Sequence, residues 1–237
     1  MTIGNRSLQD WENTFADFLS SSVTNEDAAH DRAHIHRVVA NARMLATAEQ
    51  ADLSIVIPAA WLHDCVIVPK HSPERSRASL LAAEAASTFL RDADYPAEKI
   101  AAIAHAIHAH SFSAAVPPQS LEAKVVQDAD RLDALGAIGI ARTLMLGGAV
   151  GSRLYDPDDP FARDREPDDR RSAIDHFYTK LLRLQAMMQT NSGRAEAERR
   201  TRFMHEFLEQ LGHDIDAGVA GGTRGARGST DYAEFAR

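Results

Sequence analysis

Apolar residues recur at intervals of three and four along almost the whole chain, the spacing of helices that each bury one face. The pattern predicts helices over 7–22, 27–48, 53–66, 77–92, 96–110, 119–146, 171–188 and 194–212. The first places Trp11, Phe15 and Phe18 on one side. The segment 67–76 carries two prolines and reads as a loop, and the Val116-Pro117-Pro118 break divides two helices. Gly147-Gly148 provides a stop for the 119–146 helix. Residues 151–170 differ, with Asp156-Pro157-Asp158-Asp159-Pro160 and Glu166-Pro167-Asp168-Asp169 forming acidic turns. So long an excursion is expected to be either functional, as a lid, or mobile. No segment alternates with the period of a strand. The expected fold is all-α, a single-domain helical bundle over 1–212. Residues 213–237 are expected to form a disordered tail, glycine-rich and poor in apolar side chains.

A chain of 237 residues with 44% hydrophobic content is long enough to bury a sizeable core. No apolar run approaches the length that a membrane helix requires, and the N-terminus lacks the basic-then-apolar plan of a signal peptide. The single cysteine, Cys65, excludes an internal disulfide and fits a reducing compartment, so the expectation is a cytoplasmic protein. A formal charge of −8 argues against broad nucleic-acid binding. An anionic small molecule remains compatible with that charge, because a few local cations can hold phosphate.

The candidate chemistry starts at His63-Asp64, which follows the apolar run Ile55 to Leu62. A carboxylate there costs several kcal/mol unless something positive sits against it, and no Lys or Arg flanks the pair before Lys70. A divalent metal ion is the simplest compensation. Ligands of the right type lie elsewhere: His34 upstream, and Asp128, Asp130 and Asp133 downstream. A bundle in which separate helices each contribute an inward-facing ligand suits these separations. Imidazole with carboxylate fits Mn, Co, Ni, Fe or Zn, and Mg less strictly. The absence of a thiolate argues against a closed structural zinc site.

Three strings carry a further signal: Ala29-His30-Asp31-x-x-His34-x-x-Arg37-Val38, Leu62-His63-Asp64, and Val126-Gln127-Asp128-Ala129-Asp130-Arg131-Leu132-Asp133-Ala134-Leu135-Gly136-Ala137-Ile138-Gly139. Together they resemble the H…HD…D pattern of the HD superfamily of metal-dependent phosphohydrolases, and more closely its small bacterial branch of nucleotide pyrophosphohydrolases. The likeness runs over roughly 8–212. It implies metal ligands at His34, His63, Asp64 and one carboxylate of the Asp128/Asp130 pair. The Ala129-Asp130 step favours Asp130, and Asp128 reads as a cap.

The resemblance also implies a substrate loop. Lys70, Arg75 and Arg77 bring three cations to the start of a helix, a natural seat for phosphate, and the alternative is a solvated charged loop. Arg37 lies one turn from His34 and is a further candidate, and Asp133 lies one turn after Asp130, where it can orient a ligand. Within the histidine-rich 103–113 segment, His110 is the candidate either to support a metal ligand from behind or to contact substrate phosphate, and His105 ranks below it. The catalytic set expected is therefore His63, Asp64, Arg37 and Asp133, with Lys70, Arg75, Arg77 and His110 on the substrate.

The resemblance further implies one divalent ion, with manganese the leading candidate, and a small phosphorylated substrate, a nucleotide first. The expected reaction takes nucleoside or deoxynucleoside triphosphates to a monophosphate and pyrophosphate. Alternatives are a phosphomonoesterase, a cyclic-nucleotide phosphodiesterase, or a nucleotide-binding regulatory module without turnover. No nucleic-acid or membrane partner is expected, and the chain is either a monomer or a homodimer.

Overall fold

A computed structural model describes residues 1–22, 32–68, 72–111 and 113–220. Nine α-helices are found among the described residues: α1 (Leu8–Ser22), α2 (Arg32–Glu49), α3 (Leu53–Leu62), α4 (Ala78–Asp92), α5 (Ala97–His110), α6 (Leu121–Leu132), α7 (Gly136–Ala149), α8 (Asp175–Thr179) and α9 (Asn191–Ala220). A two-residue antiparallel pair, Thr2–Ile3 with Arg6–Ser7, precedes α1. It is too short to leave a periodic trace in sequence. The all-α expectation holds.

The chain divides into two compact units, Met1–Ala134 with Arg183–Glu196, and Leu135–Leu182 with Ala197–Arg237. In the first, α2 packs on α3 and α6, while α5 packs on α3, α4 and α6. Trp11, Phe15, Leu45, Ile57, Leu62, Ile103, Ile107 and Leu132 are fully buried between these helices. Burying such side chains contributes roughly 1.5–3 kcal/mol each before conformational entropy is set against it. Asp52 caps α3 by accepting from the Ser54 amide, and Lys99 of α5 reaches the same carboxylate at 2.7 Å. Asn41 Nδ2 donates to the Ala129 carbonyl and so ties α2 to α6.

Asp128 is fully buried on α6 and closes the unit. Its carboxylate accepts from the Gln189 and Thr190 amides and from the Thr190 hydroxyl at 2.7 Å. Thr190 in turn accepts from the Gly193 amide in the first turn of α9. Asp128 therefore holds the start of a distant helix. Gly193 is the residue that makes this approach possible, because a Cβ there would collide with the Asp128 carboxylate and the Thr190 hydroxyl.

In the second unit, Phe177 and Ile174 are fully buried, and the Phe177 and Phe207 rings lie 6.0 Å apart. The acidic excursion is tied down. Arg165 donates two hydrogen bonds to the fully buried Asp175, which also accepts from the Asp168 amide. Asp156 and Asp159 accept from backbone amides within the same loop.

Four element boundaries differ from the pattern. The 53–66 helix ends at Leu62, so His63 and Asp64 stand at its C-terminal edge. The 119–146 helix breaks at 133–135, where Leu135 is extended and Gly136 adopts φ +69°. The 171–188 helix is reduced to α8 and two short 3₁₀ turns, α8 stopping where Lys180 leaves the helical region at φ −138°, ψ −60°. Finally, α9 runs to Ala220, through the first eight residues assigned to the tail. The remainder of that tail, 221–237, and the helix start at 27–31 lie outside the described residues.

Gly193→Ala is expected to lower stability by about 1–3 kcal/mol, the usual cost of forcing atoms into a packed, hydrogen-bonded site. Thermal unfolding checks this against the substitution's helix-favouring effect. An unchanged or raised Tm would show that Asp128 does not hold the α9 terminus as tightly as the contacts indicate.

Candidate metal centre

The first unit brings His34, His63, Asp64 and Asp130 to one place. His34 sits in the first turn of α2, His63 and Asp64 follow the last turn of α3, and Asp130 lies in the last turn of α6. His34 Nε2 lies 3.4 Å from His63 Nε2, 3.5 Å from Asp130 Oδ1 and 3.9 Å from Asp64 Oδ2. His63 Nε2 lies 3.5 Å from Asp64 Oδ2 and 3.9 Å from Asp130 Oδ1. Donors about 2.0–2.2 Å from a common divalent ion stand roughly 3–4 Å from one another, so His34, His63 and Asp130 are spaced to share one ion, with an Asp64 oxygen within 3.9 Å of both imidazoles.

The hydrogen bonds on the far sides of the rings decide what faces inward. His63 Nδ1 donates to the Ala60 carbonyl at 2.8 Å, one of the orphan acceptors at the end of α3. His34 Nδ1 donates to Asp133 Oδ2 at 2.7 Å. Each Nδ1 thus carries a proton bonded away from the site, and each Nε2 faces the site, the two 3.4 Å apart. The two carboxylates are only partly exposed, 26% for Asp64 and 29% for Asp130, and add negative charge to the same spot.

His110 completes the picture. It is the last residue of α5, buried, with Nδ1 donating to the Ile107 carbonyl at 2.6 Å. Its Nε2 faces Asp64 Oδ1 at 3.7 Å, and its ring stands 4.9 Å from that of His63. Burial, and then the neighbouring His63, push its pKa down, so the ring is neutral. Donor atoms of His63, Asp64 and His110 form a second set compatible with a metal, overlapping that of His34, His63 and Asp130. A neutral Nε2 presents a lone pair and meets a phosphate oxygen poorly, so His110 is better placed to accept from water or to join the ion. Its place at a helix end beside the metal set could not be read from the His-rich string alone.

The C-termini of α3, α5 and α6 converge here, carrying His63, His110 and Asp130. Their partial negative charges favour a cation, each by a fraction of a kcal/mol to about 1 kcal/mol.

Asp133 and Arg37 stand behind the donors. Asp133 is 1% exposed and accepts from His34, from Arg37 Nε at 2.6 Å and from Arg37 Nη2 at 3.0 Å. Burial raises its pKa, but the hydrogen bonds from His34 and Arg37 outweigh this and hold the carboxyl well below the usual range. The sequence ranks both as catalytic; the structure makes them a brace that fixes the ring of His34. Arg131 turns away from the site and donates to the Met187 carbonyl.

The expected phosphate loop is less concentrated than its sequence. Arg75 donates to the Val68 carbonyl, and Arg77 pairs with Glu74 on the surface. Lys70 lies outside the described residues. His105 accepts from the Gln119 amide and so serves the loop before α6. Cys65, next to Asp64, is no nucleophile, since burial and then the Asp64 charge push its thiol up to about 12.

Residues 32–135 match the family model described as HD domain. The chain is 39% identical over 202 residues to the uncharacterized protein YpgQ of Bacillus subtilis (strain 168), spanning 84% of this chain and 90% of that protein. In fold it is similar to an HD-superfamily hydrolase from Bacillus thuringiensis, with TM-score 0.70 and 36% identity over 89% of this chain and all of that one. It is also similar to YpgQ crystallised in complex with ADP, with TM-score 0.66 and 37% identity over 87% of this chain and 95% of that one.

Asp133→Asn removes the charge behind His34 while keeping its shape. The expected outcome is a roughly 10–100-fold weaker divalent-metal affinity with the fold retained, the usual scale for a partner behind a metal-bound imidazole. Metal titration followed by calorimetry reads it. Unchanged affinity would show that the Arg37–Asp133 brace does not act on the site.

Proposed function

The chain belongs to the HD-domain superfamily of metal-dependent phosphohydrolases, and from that premise we propose that it hydrolyses nucleoside or deoxynucleoside triphosphates to a monophosphate and pyrophosphate. His34, His63, Asp64 and Asp130 hold the divalent ion, with manganese the first candidate among Mn, Co, Ni, Fe, Mg and Zn. The observation that carries this reading is that His34 and His63 bond outward through Nδ1 and turn Nε2 inward beside two partly exposed carboxylates. The donor set, two imidazoles and two carboxylates, is the kind that holds such an ion. The ADP complex of YpgQ supports a nucleotide as the ligand class.

A bound divalent ion supplies charge to a phosphoryl oxygen and acidifies water near neutral pH. The protein's own groups do the remaining work. Asp64 has one oxygen turned to the His34/His63 pair and one to His110, so it can orient the attacking water. His110 accepts from that water through Nε2. Asp133 and Arg37 keep the tautomer of His34. Arg77 is the mobile phosphate contact: its exposed pair with Glu74 is worth at most about 1 kcal/mol and exchanges readily for a substrate phosphate. Arg75 holds the loop through Val68, and Lys70 completes the cationic set. The whole set operates in the cytoplasm, where such nucleotides are found.

Nucleoside and deoxynucleoside triphosphates, monophosphates and cyclic nucleotides, each assayed with Mn, Co, Ni and Mg, separate the possible reactions. Pyrophosphate with monophosphate is the expected product pair. Orthophosphate alone would indicate a phosphomonoesterase, and turnover of cyclic nucleotides a phosphodiesterase. His63→Ala and Asp64→Asn should lose bound metal and hydrolysis together, by about 10²-fold or more. Retention of turnover by a variant that binds no metal would refute the assignment.

A further inference from the structure

Helix α5 ends at His110, so the carbonyls of its last turn have no helical amide further on to accept from. Two side chains take that place. His110 Nδ1 donates to the Ile107 carbonyl at 2.6 Å, and Gln127 Nε2 of α6 donates to the Ala109 carbonyl, also at 2.6 Å. A carbonyl only accepts, so the contact identifies the NH₂ half of the Gln127 amide.

Gln127 is 4% exposed and lies among the buried apolar residues Ala123, Val125, Val126, Ala129 and Leu132 of α6. Among the described residues its Oε1 has no hydrogen-bond partner. A buried amide with one half unpaired costs more than an apolar side chain of the same size. Packing alone therefore does not account for a glutamine at this position, and the bond to Ala109 is the contact that requires one.

We propose that Gln127 is a positioning residue that fixes His110 at the site by holding the carbonyl of Ala109. The inference rests on the reading of His110 as a participant in hydrolysis. Gln127 precedes Asp130 by three residues, so the two share one side of α6. The helix that carries Asp130 to the donors thus clamps the end of α5 one turn earlier. Ala109 is fully buried and adjoins His110, so its carbonyl, left without a donor, shifts toward a new one and moves the ring with it. The bond from His110 to Ile107 then opens, and Nε2 leaves its place 3.7 Å from Asp64 Oδ1.

Gln127→Met keeps the bulk of the side chain and removes the donor, and Gln127→Leu repeats the test with a different shape. In metal-free protein near pH 8, where histidine is mostly neutral, nitrogen-15 NMR reads the rings directly. The wild type is expected to show His110 with its proton on Nδ1, the signal being assigned by its loss in His110→Ala. Both Gln127 variants should mix or reverse that tautomer, while His63, held by Ala60, stays unchanged. With metal and a nucleotide that the wild type turns over, Gln127→Met should lower kcat about 10–100-fold, the scale for a displaced catalytic group, and leave KM and metal affinity unchanged. In the His110→Ala background the same substitution should cost nothing further, a result that a role in folding alone would not give. An unaltered His110 signal in both variants, or an undiminished loss of kcat when His110 is already absent, would overturn the proposal. Should the wild type turn over no nucleotide, the hydrolase reading falls, and the spectrum still decides the role of Gln127.

Discussion

The site depends on where three ring protons go. His63 and His110 each spend Nδ1–H on a carbonyl at the end of their own helix, and His34 spends its on Asp133. Those bonds turn every Nε2 inward, toward the carboxylates of Asp64 and Asp130. Gathering imidazoles and carboxylates in one half-buried place is offset well by a divalent cation. The arrangement suits a divalent cation, and the chemistry of a bound ion follows from it.

The helices supply the convergence. Ending α3 at Leu62 frees the carbonyl of Ala60 to fix His63, and ending α5 at His110 does the same through Ile107. One structural device, a histidine at a helix C-terminus bonded three residues back, is used twice. The brace on His34 comes from α6, three residues beyond Asp130, and Arg37 clamps it from α2. Asn41 to Ala129 keeps α2 and α6 in register. Two residues apart, Asp128 and Asp130 have separate duties: Asp128 seats the start of α9, and Asp130 faces the donors.

Much of this is legible in the sequence because burial makes it so. A His-Asp pair after an apolar run demands compensation, and the helical period puts Asp128 and Asp130 on different faces, which separates the cap from the inward carboxylate. Helix termini are harder. The His63 ring's use of a carbonyl, the extended Leu135 and the positive φ of Gly136 are tertiary effects that no Ala/Leu-rich pattern encodes. Arg37 reads as a phosphate binder because its partner, Asp133, lies 96 residues away. The cations of 70–77 look like one cluster, while Arg75 and Arg77 find neighbours within their own loop. His110 stands out in the sequence either as a support for a ligand or as a phosphate contact, and its bond to Ile107 turns the other nitrogen toward Asp64.

Anomalous diffraction from crystals grown with manganese addresses the central claim most directly. The account predicts one strong peak about 2.0–2.3 Å from His34 Nε2, His63 Nε2 and a carboxylate oxygen each of Asp64 and Asp130. Manganese bound elsewhere, with the four side chains satisfied by protein groups alone, would contradict it.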